Sequence, residues 1–556
     1  MLRALRRHAA RWLPEPLLRR LVQLQHGELS HQQRLRGAGA VPDGYLRVRA
    51  LDGQVLARVV GRFAAEVWRD ETARALIAAL DDAGVGVVAL PAPRGLIRSL
   101  GVAAEDELAT LRALDTLPGL EWQVRRRRPE PGSGMPVRPI TRADHRGQPE
   151  TVEASRSACS STGQLLMGSD AAVRLEFWRQ IDRDDVERID GERHEAGTRI
   201  APEPNLVVGY LSPANWSAAV GSPAHWPVDR PRPHVFDVTE PIDLVYTWVN
   251  GADPAWQQRK AACAQSPGDH TRNATAAIEA RFASYDELRY SLRSVAMYAS
   301  WVRHIYLVTD GQRPEWLDAS HPKISVIDHT EIFTDPVALP VFNSHAIESQ
   351  LHHIDGLSEH YLYLNDDFFF GRPVAPEAFF HGNGIAKFFL SPGTLDLDEP
   401  SSRDLPVMSA AKRNRALLEA EFGVTITQKF RHTPQPQVRG VLAEMERRHP
   451  DVFDQVSRSR FRHPDDVSIT SALHHYYAYR IGRAVPDDIG YSYQDISLPN
   501  TARRLDSFLR LRPEVYCLND GSSTPDTAQQ RHRMLAEFFR QYYPVPSPYE
   551  LPGTDA

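Results

Sequence analysis

The chain has 556 residues, more than one compact core usually holds, so its length predicts several domains. Hydrophobic residues make up 42% of it and charged residues 24%, a globular composition that excludes a wholly disordered or fibrous protein. The formal net charge of −6 gives no basic field to hold a phosphate backbone, so we expect no nucleic-acid partner. The 3 cysteines are too few and too widely spaced for a disulfide framework or a cysteine-rich zinc site.

The N-terminal segment, residues 1–40, is basic and amphipathic. Arginines alternate with leucines over residues 1–30, a composition that suits the surface of an anionic membrane. The other interpretation is a solvated pair of helices broken at Pro14 and Pro16. No apolar run reaches the roughly 18 residues that a membrane-spanning helix needs. We therefore expect a cytoplasmic protein, with peripheral contact to the inner face of the cell membrane through residues 1–30 as the alternative.

The rest of the chain divides by composition. Short apolar runs first alternate with helical patterns, which predicts a small, separate α/β accessory domain. An Arg-, Pro- and Gly-rich stretch follows and is typical of a linker. The predicted segments are 41–124 for the accessory domain, 125–150 for the linker, 151–240 for a mixed connecting region, 241–525 for the main domain and 526–556 for a C-terminal tail.

The main domain has the pattern of an open α/β sheet. Its short β-rich runs are separated by helical stretches, as expected for parallel strands joined by helical crossovers. The clearest helix covers Tyr285–Ala299, where Ser284 and Glu287 form a capping box, and a second helix covers Ala346–Ile354. The predicted strands are Leu244–Val249, His304–Thr309, Ile324–Ile327 and Tyr361–Leu364.

The last of these strands runs directly into Asn365-Asp366-Asp367. In open α/β sheets, ligands bind beyond the carboxyl ends of the strands. Two adjacent carboxylates and an amide supply the hard oxygen ligands that Mg²⁺ or Mn²⁺ takes beside a diphosphate. The same tripeptide also forms ordinary turns and helix caps, which is the alternative interpretation. We predict that Asp366 and Asp367 are metal ligands.

Two further groups of polar side chains lie on the predicted helices. Arg289 and Arg293 stand four residues apart on one helix face, a spacing that suits either phosphate binding or ion pairs with nearby acids. Asn343 and Ser344 precede the second helix and suit contact with an anion or a sugar.

The second helix also raises the alternative of a zinc site. His345, Glu348 and His352 share one helical face, but their spacing does not show a third convergent ligand. We therefore favour a positional or sugar-binding role for Glu348.

Four blocks of sequence stand in order along the main domain: Ile242–Gly251; then Arg281–Phe282, Asp286–Ser294, Trp301–Ile305, Val308–Gln312, Phe342–Glu348 and Asn365–Asp367; then Arg431–Pro434 and Phe461–Asp466; and finally Tyr516–Asp520. Together they resemble the Stealth family of sugar-1-phosphate transferases, which includes bacterial capsule and exopolysaccharide phosphotransferases. The resemblance covers about half of the chain and departs from the family at Asn250, where an aspartate is common. It identifies the main domain as a Stealth-type catalytic domain.

The resemblance implies a GT-A-like nucleotide-sugar-binding sheet with helical insertions. It implies transfer of a hexose 1-phosphate from a nucleotide diphosphate sugar, expected to be UDP-linked, to a hydroxyl of a glycan acceptor, with release of a nucleoside monophosphate. The setting would be exopolysaccharide or cell-envelope polysaccharide synthesis. It further implies His432 as the general base, since a neutral imidazole accepts a hydroxyl proton near pH 7. Arg462 would bind phosphate, and Asp520 would join Asp366 and the catalytic Asp367 around Mg²⁺ or Mn²⁺.

The expected ligands of the donor and its phosphates are Asn250, Gly251, Arg281, Arg289, Arg293, Asn343, Ser344 and Glu348. Two rival functions stay open at this point. One is a GT-A-type glycosyltransferase that releases a nucleoside diphosphate, and the positions of the carboxylates do not separate it from a phosphotransferase. The other is a non-catalytic glycan-binding protein.

Overall fold

The computed structural model describes residues 41–50, 53–90, 98–127, 151–181, 188–189, 192–202, 208–220, 233–264, 284–401, 404–520 and 525–554. The chain forms two compact units, 1–234 and 235–556. The predicted membrane-contacting segment, residues 1–40, lies outside the described residues. In the part of the chain that is described, no helix is both long and apolar enough to cross a membrane.

The first unit contains two main β-sheets. One has four strands in the order β1-β2-β7-β8, and the other has seven, with β13-β12-β9-β4-β3 as its path and β6 joining β5 to β9. The strands are β1 (Tyr45–Ala50), β2 (Gly53–Val59), β3 (Val87–Leu90), β4 (Arg98–Ala103), β5 (Trp122–Arg127), β6 (Thr151–Arg156), β7 (Ala158–Cys159), β8 (Leu165–Met167), β9 (Val173–Gln180), β10 (Arg188–Ile189), β11 (Glu192–Arg193), β12 (Arg199–Ile200) and β13 (Tyr210–Leu211). The helices are α1 (Ala65–Asp82), α2 (Glu107–Asp115) and α3 (Pro213–Val220).

This unit corrects the predicted boundaries in the first half of the chain. Strand β4 of the predicted accessory domain pairs in parallel with β9 of the predicted connecting region, and β5 pairs with β6. Side chains from both segments share one apolar core, among them Leu76, Val102, Val152 and Phe177. The accessory domain and the connecting region are therefore one folding unit, because neither segment alone completes the sheet. The predicted linker begins inside β5, and its residues 128–150 lie outside the described residues.

The second unit is built on a five-stranded sheet in the order β16-β15-β14-β17-β22. Its strands are β14 (Ile242–Thr247), β15 (Ile305–Thr309), β16 (Ile324–Asp328), β17 (His360–Asn365), β18 (Phe368–Phe370), β19 (Ala386–Phe388), β20 (Leu390–Thr394), β21 (Gln428–Phe430), β22 (Gln435–Val438), β23 (Ala484–Pro486), β24 (Tyr491–Asp495) and β25 (Val515–Asn519). Its helices are α4 (Pro254–Ala264), α5 (Glu287–Tyr298), α6 (His329–Ile332), α7 (Ser344–Glu348), α8 (Pro406–Phe422), α9 (Arg439–Arg448), α10 (Pro450–Ser457), α11 (His474–Arg480), α12 (Thr501–Leu511) and α13 (Pro525–Tyr542).

The predicted parallel sheet is confirmed. Strand β14 pairs in parallel with β15 and β17, and β15 pairs in parallel with β16. The sequences of these strands are almost continuously apolar because parallel strands in the middle of a sheet are covered on both faces. The antiparallel strand β22 closes one edge and sets Gln435 opposite Tyr363, near the carboxyl end of β17. The loop before β22 is thereby brought to the end of the sheet that binds ligands in open α/β folds.

A smaller sheet, β18-β25-β24, continues the chain beyond the Asp366-Asp367 turn. Aromatic rings of helix α13 and of the residue after it cover this sheet: Phe369 lies 5.1 Å from Phe539 of α13 and 6.0 Å from Tyr543 between ring centroids. The Tyr543 hydroxyl donates a hydrogen bond to Phe370 O. The predicted boundary at residue 525 is therefore wrong, since the C-terminal segment supplies part of the core of this unit.

Helix α5 begins differently from the prediction. Asp286 adopts a left-handed conformation at the N-cap, with φ of 69°, and no side chain caps the helix. The Glu287 carboxylate accepts a hydrogen bond from the Tyr285 backbone N–H at 2.5 Å instead of closing a box with Ser284. This start turns the Glu287 side chain back toward the preceding loop.

Candidate active site

The Asp366-Asp367 turn lies between β17 and β18 and is held by β25. The Leu518 backbone N–H donates to Asp367 O at 3.1 Å, which continues the antiparallel pairing of β18 with β25. The Cys517 thiol donates to Asp367 Oδ2 at 3.3 Å, and the side chain of Asn519 donates to the same carboxylate. A strand that returns more than a hundred residues later thus fixes the orientation of Asp367.

Three carboxylates crowd together at this turn, and we name Glu287, Asp366 and Asp367 the acidic cluster. Burial and the neighbouring Asp366 charge raise the pKa of Asp367 to about 7. Burial raises the pKa of Asp366 to about 6. Burial and the charge of Asp366 also raise the pKa of Glu287 well above its ordinary value. The cluster therefore carries negative charge at a cost, which a bound cation would offset.

The acidic cluster also holds an oxygen that lacks a partner. Within the described residues, Asp367 Oδ1 is buried and accepts no hydrogen bond, although Oδ2 of the same group is engaged. A buried, unpaired carboxylate oxygen is costly, so it suits a ligand that arrives with positive charge. The carboxylates of the described residues here do not bring three ligand atoms within 4.8 Å of one another. One or two carboxylates, with water and substrate phosphate as the other ligands, is the arrangement Mg²⁺ usually takes.

Asp520 lies at the end of β25, next to the acidic cluster in the sheet. The Tyr285 hydroxyl donates to Asp520 Oδ2 at 3.1 Å, and Arg531 Nη1 lies 3.8 Å from the same oxygen. Tyr285 thus links Asp520 to the turn that carries Glu287. The fold returns Asp520 to the edge where Asp366 and Asp367 lie.

Helix α5 is fastened beneath the cluster by buried hydroxyl groups. The Ser291 hydroxyl donates to Phe368 O at 2.5 Å, and the Tyr246 hydroxyl lies 2.8 Å from Ser291 Oγ. The Phe370 backbone N–H donates to Ser294 Oγ at 3.0 Å. These bonds lock α5 to β14 and β18, so the position of Glu287 is set by the sheet.

His432 lies in the loop that precedes β22, as the strand pairing requires. Its ring is edge-on to Phe368, the residue after Asp367, at 6.4 Å between centroids, and lies 5.4 Å from the ring of Tyr493. Its backbone N–H donates to the Tyr491 hydroxyl at 3.2 Å. Although the side chain reaches solvent, the surrounding protein lowers the pKa of His432 by desolvation. A neutral imidazole that can accept a proton therefore stands beside the acidic cluster.

Arg462 and Ser344 meet at the same end of the sheet. Arg462 Nη2 donates to Ser344 Oγ at 2.9 Å. Burial lowers the pKa of Arg462, and the charges of Glu348 and Asp466 oppose this shift, so the guanidinium lies close to both carboxylates. Glu348 in turn accepts a hydrogen bond from the Tyr363 hydroxyl, near the carboxyl end of β17. This one side-chain hydrogen bond within the described residues leaves the other guanidinium N–H donors available to an anion.

Asn343 and Glu348 have partners inside the protein, which argues against the predicted anion or sugar contact of Asn343 and favours the positional one of the two roles predicted for Glu348. Asn343 Oδ1 accepts from the His345 backbone N–H, and Nδ2 donates to Asp466 Oδ2 at 2.8 Å. Glu348 is 4% exposed, and its two oxygens contact the hydroxyls of Tyr363 and Ser471. Both residues shape the wall around Arg462, since every oxygen they offer already has a protein partner.

The phosphate-binding role predicted for Arg289 and Arg293 is also corrected. Both guanidinium groups are buried and pair with Glu550, with Arg289 Nε 2.6 Å from Oε2 and Arg293 Nη2 2.7 Å from the same oxygen. Arg289 also donates to Thr554 O. The two arginines fasten the C-terminal segment to α5, because the acid that pairs with them comes from the other end of the unit.

The remaining predicted ligands lie on two other segments. Asn250 is exposed after β14. Its backbone N–H donates to Gln312 Oε1 at 2.9 Å, and Gln312 Nε2 donates to Asn250 O at 3.1 Å. Gly251 O accepts from Gln257 Nε2 at 2.9 Å. Both stand at the carboxyl end of the sheet. Arg281 lies outside the described residues.

The zinc alternative at His345, Glu348 and His352 is not supported, because the helix ends at Glu348 and the three side chains have separate partners. His345 Nδ1 lies 3.7 Å from Asp466, Glu348 contacts Ser471 and His352 Nε2 lies 2.8 Å from Glu446. They do not converge on one point.

Sequence reasoning missed three residues of this site. The capping-box pattern predicts only a helix start at Glu287, and its packing against the β17–β18 turn shows it to be an acid of the cluster. Cys517 had no predicted role, yet its thiol donates to Asp367 Oδ2. Tyr493, on the neighbouring strand β24, flanks His432 with 38% of its surface exposed. The position of Glu287 and Cys517 within the family blocks was the one available signal.

Four family models match the chain, each describing a conserved region of Stealth proteins: region 1 at residues 240–266, region 2 at 281–388, region 3 at 431–479 and region 4 at 506–556. Exopolysaccharide phosphotransferase SCO6023 of Streptomyces coelicolor is 43% identical over 502 residues, which cover 87% of this chain and 82% of the relative. The chain belongs to the Stealth family. Like its named relatives, this Stealth protein is a phosphotransferase-type enzyme.

Other comparisons extend this result. Exopolysaccharide phosphotransferase CpsY of Mycobacterium tuberculosis is 37% identical over 398 residues, covering 71% of this chain and 72% of the relative. The fourth conserved region runs to residue 556, which agrees with the packing of the C-terminal segment into the Stealth unit. The glycosyltransferase GlyE of Streptococcus pneumoniae TIGR4 matches 55% of this chain and 66% of its own at 11% identity, and a TM-score of 0.21 carries no argument about the fold.

Proposed function

We propose that this Stealth protein transfers a hexose 1-phosphate from a UDP-linked or related nucleotide diphosphate sugar to a hydroxyl of a glycan acceptor. A nucleoside monophosphate is released, and the product extends an exopolysaccharide or another cell-envelope polysaccharide. The names of the relatives support the reaction class, and the α/β sheet with its polar carboxyl edge supports a GT-A-like way of binding the donor. The observation that carries the proposal is the unpartnered oxygen of Asp367 beside two other buried acids.

The reaction needs one bond formed and one broken at the phosphorus that bears the sugar. The acceptor oxygen attacks this phosphorus, the bond to the bridging oxygen breaks and the nucleoside monophosphate leaves. His432 accepts the proton of the attacking hydroxyl, a role that its lowered pKa supports because the ring is neutral at pH 7. Arg462 holds an oxygen of the transferred phosphate with the donors that Ser344 leaves free.

The residues present also suit a divalent cation. One or two carboxylates of the set Asp366, Asp367 and Asp520, with water and substrate phosphate as the other ligands, would hold Mg²⁺ or Mn²⁺, which would supply positive charge against the diphosphate when bound. Glu287 contributes negative charge close to this point and is fixed by α5. The protein itself orients Asp367 through the hydrogen bond from the Cys517 thiol, and it holds the acidic side chains close together despite their repulsion.

A donor labelled with ³²P at the sugar-bearing phosphorus tests the proposal. Phosphotransfer moves the label to the acceptor, or to water as hexose phosphate, and releases unlabelled UMP. Glycosyl transfer leaves the label on UDP, and this outcome would replace the proposal with the glycosyltransferase alternative. Asp506→Asn, an exposed substitution on α12, is the matched control for loss of an acid and should retain full activity.

A further inference from the structure

Three metal-ligand side chains meet outside the acidic cluster. His352 and His353 lie in the short 3-10 turn Leu351–His353, and Glu446 lies on α9. The Nε2 atoms of both imidazoles are 2.8 Å from Glu446 Oε2. This is the group of three within the described part of the chain whose ligand atoms all lie within 4.8 Å of one another.

The hydrogen-bond pattern around His353 leaves a lone pair facing Glu446. His353 Nδ1 lies 2.9 Å from Ile332 O, and a carbonyl oxygen can only accept, so this nitrogen carries the ring proton. The Nε2 of the neutral ring is then an acceptor, and it faces a second acceptor, Glu446 Oε2, at 2.8 Å. A positive charge must stand between them, either a second ring proton or a metal ion. An imidazole whose other nitrogen donates to a carbonyl is the usual form of a metal-bound histidine.

The turn that presents the two imidazoles is held rigidly. Arg439, also on α9, donates from Nε to His352 O at 2.9 Å and from Nη1 to Leu357 O at 3.1 Å. The rings of His352 and His353 lie 4.1 Å apart between centroids at 49°, and both Nε2 atoms contact Glu446 Oε2. The site is therefore formed before any ion arrives.

The donor set selects the class of metal. Two imidazoles and one carboxylate suit Zn²⁺, whereas Mg²⁺ and Ca²⁺ take oxygen ligands. In tetrahedral geometry, ligand atoms about 2.0–2.1 Å from one zinc ion lie about 3.3–3.4 Å apart, so the two 2.8 Å separations need to widen by about half an ångström. The side chain of His352 is 2% exposed, but those of His353 and Glu446 are 21% and 28% exposed, which leaves room for water as a further ligand.

We propose that His352, His353 and Glu446 form a zinc site that is separate from the acidic cluster. It joins α9 to the turn that leads into β17, the strand that ends at the Asp366-Asp367 turn. Zinc here holds two segments of the second unit together.

Metal binding to the full chain tests this proposal. After treatment with EDTA and removal of the chelator, the wild type should take up one Zn²⁺ per chain at this site and unfold at a higher temperature with zinc than without it. Glu446→Gln and, as a second variant, His352→Asn should each weaken zinc binding at least tenfold and abolish the thermal shift. Binding should also weaken as the pH falls, because the imidazoles must be neutral to coordinate.

Two controls separate this site from other sources of zinc binding. His449→Ala removes an imidazole that lies 3.8 Å from Glu421, and it should keep the full effect because that pair lacks a third ligand. Asp367→Asn should also keep it, which distinguishes the zinc site from the acidic cluster. A wild type that binds no Zn²⁺, or zinc binding that survives Glu446→Gln unchanged, would overturn the proposal, and Glu446 would then serve only as a hydrogen-bond acceptor.

Discussion

Replacing Asp367 with asparagine should remove activity and at the same time stabilise the metal-free protein. The pKa of Asp367 is about 7 instead of 3.8, because the group is buried beside Asp366. Each pH unit corresponds to about 1.4 kcal/mol, so keeping this carboxylate ionised costs the fold at most about 4 kcal/mol above pH 7. Asp366 shares the repulsion and solvent reaches part of the group, so we expect a net gain of about 1–2 kcal/mol for Asp367→Asn.

The sign of this effect depends on pH. A carboxyl group whose pKa is raised by folding costs nothing below its unfolded pKa near 4, and the cost grows until the pH passes about 7. In EDTA at pH 8, Asp367→Asn should therefore unfold about 2–6 °C above the wild type, and the difference should shrink toward zero at pH 5. Thermal unfolding followed by fluorescence across this range measures both values.

Divalent metal should reverse the order of thermal stability of the wild type and Asp367→Asn. Added Mg²⁺ or Mn²⁺ should raise the unfolding temperature of the wild type and leave that of Asp367→Asn unchanged, because the cation relieves the repulsion only where the carboxylate is present. Asp506→Asn should behave as the wild type in every condition. An Asp367→Asn protein that is less stable than the wild type at pH 8 in EDTA, or that keeps its turnover, would refute the reasoning.

Three further substitutions test the other parts of the site. His432→Ala should lower kcat by about 10²–10⁴ with little change in the KM for the donor. Because the pKa of His432 is lowered, the acid limb of the wild-type profile of kcat against pH should lie below pH 6.5. An equal loss in kcat and donor affinity would indicate a binding role. Arg462→Lys keeps the charge but loses the planar fork, so steady-state kinetics should show kcat/KM for the donor falling about 10²-fold, and full activity would exclude a phosphate contact. Glu550→Gln leaves Arg289 and Arg293 buried without their acid and should destabilise the fold by about 3–5 kcal/mol in denaturant titrations. Because the arginines lower the pKa of Glu550, the stabilisation of the fold by this carboxylate is present above pH 4.5 and is lost as the pH falls through the pKa of the folded state. A higher KM for the donor with unchanged stability would restore the phosphate-binding role of Arg289 and Arg293.

Local sequence patterns predicted the central sheet well. The four predicted strands all form, because continuous apolar runs of this length bury both faces in a parallel sheet wherever they pair. The Asp366-Asp367 turn was readable for a related reason, since polar residues directly after a buried strand must lie at its carboxyl end. The family blocks placed His432 and Arg462 at this same end.

The amino-acid sequence by itself determined the strands, the acidic turn that follows β17 and membership of the Stealth family, because these depend on neighbouring residues and on matched motifs. The tertiary structure alone decided which charges meet. Arg293 pairs with an acid 257 residues away, and His353 meets Glu446 across 93 residues. Helical spacing shows that two arginines share a face, but the partner of that face depends on where a distant segment packs, and this is settled only when the whole unit has folded.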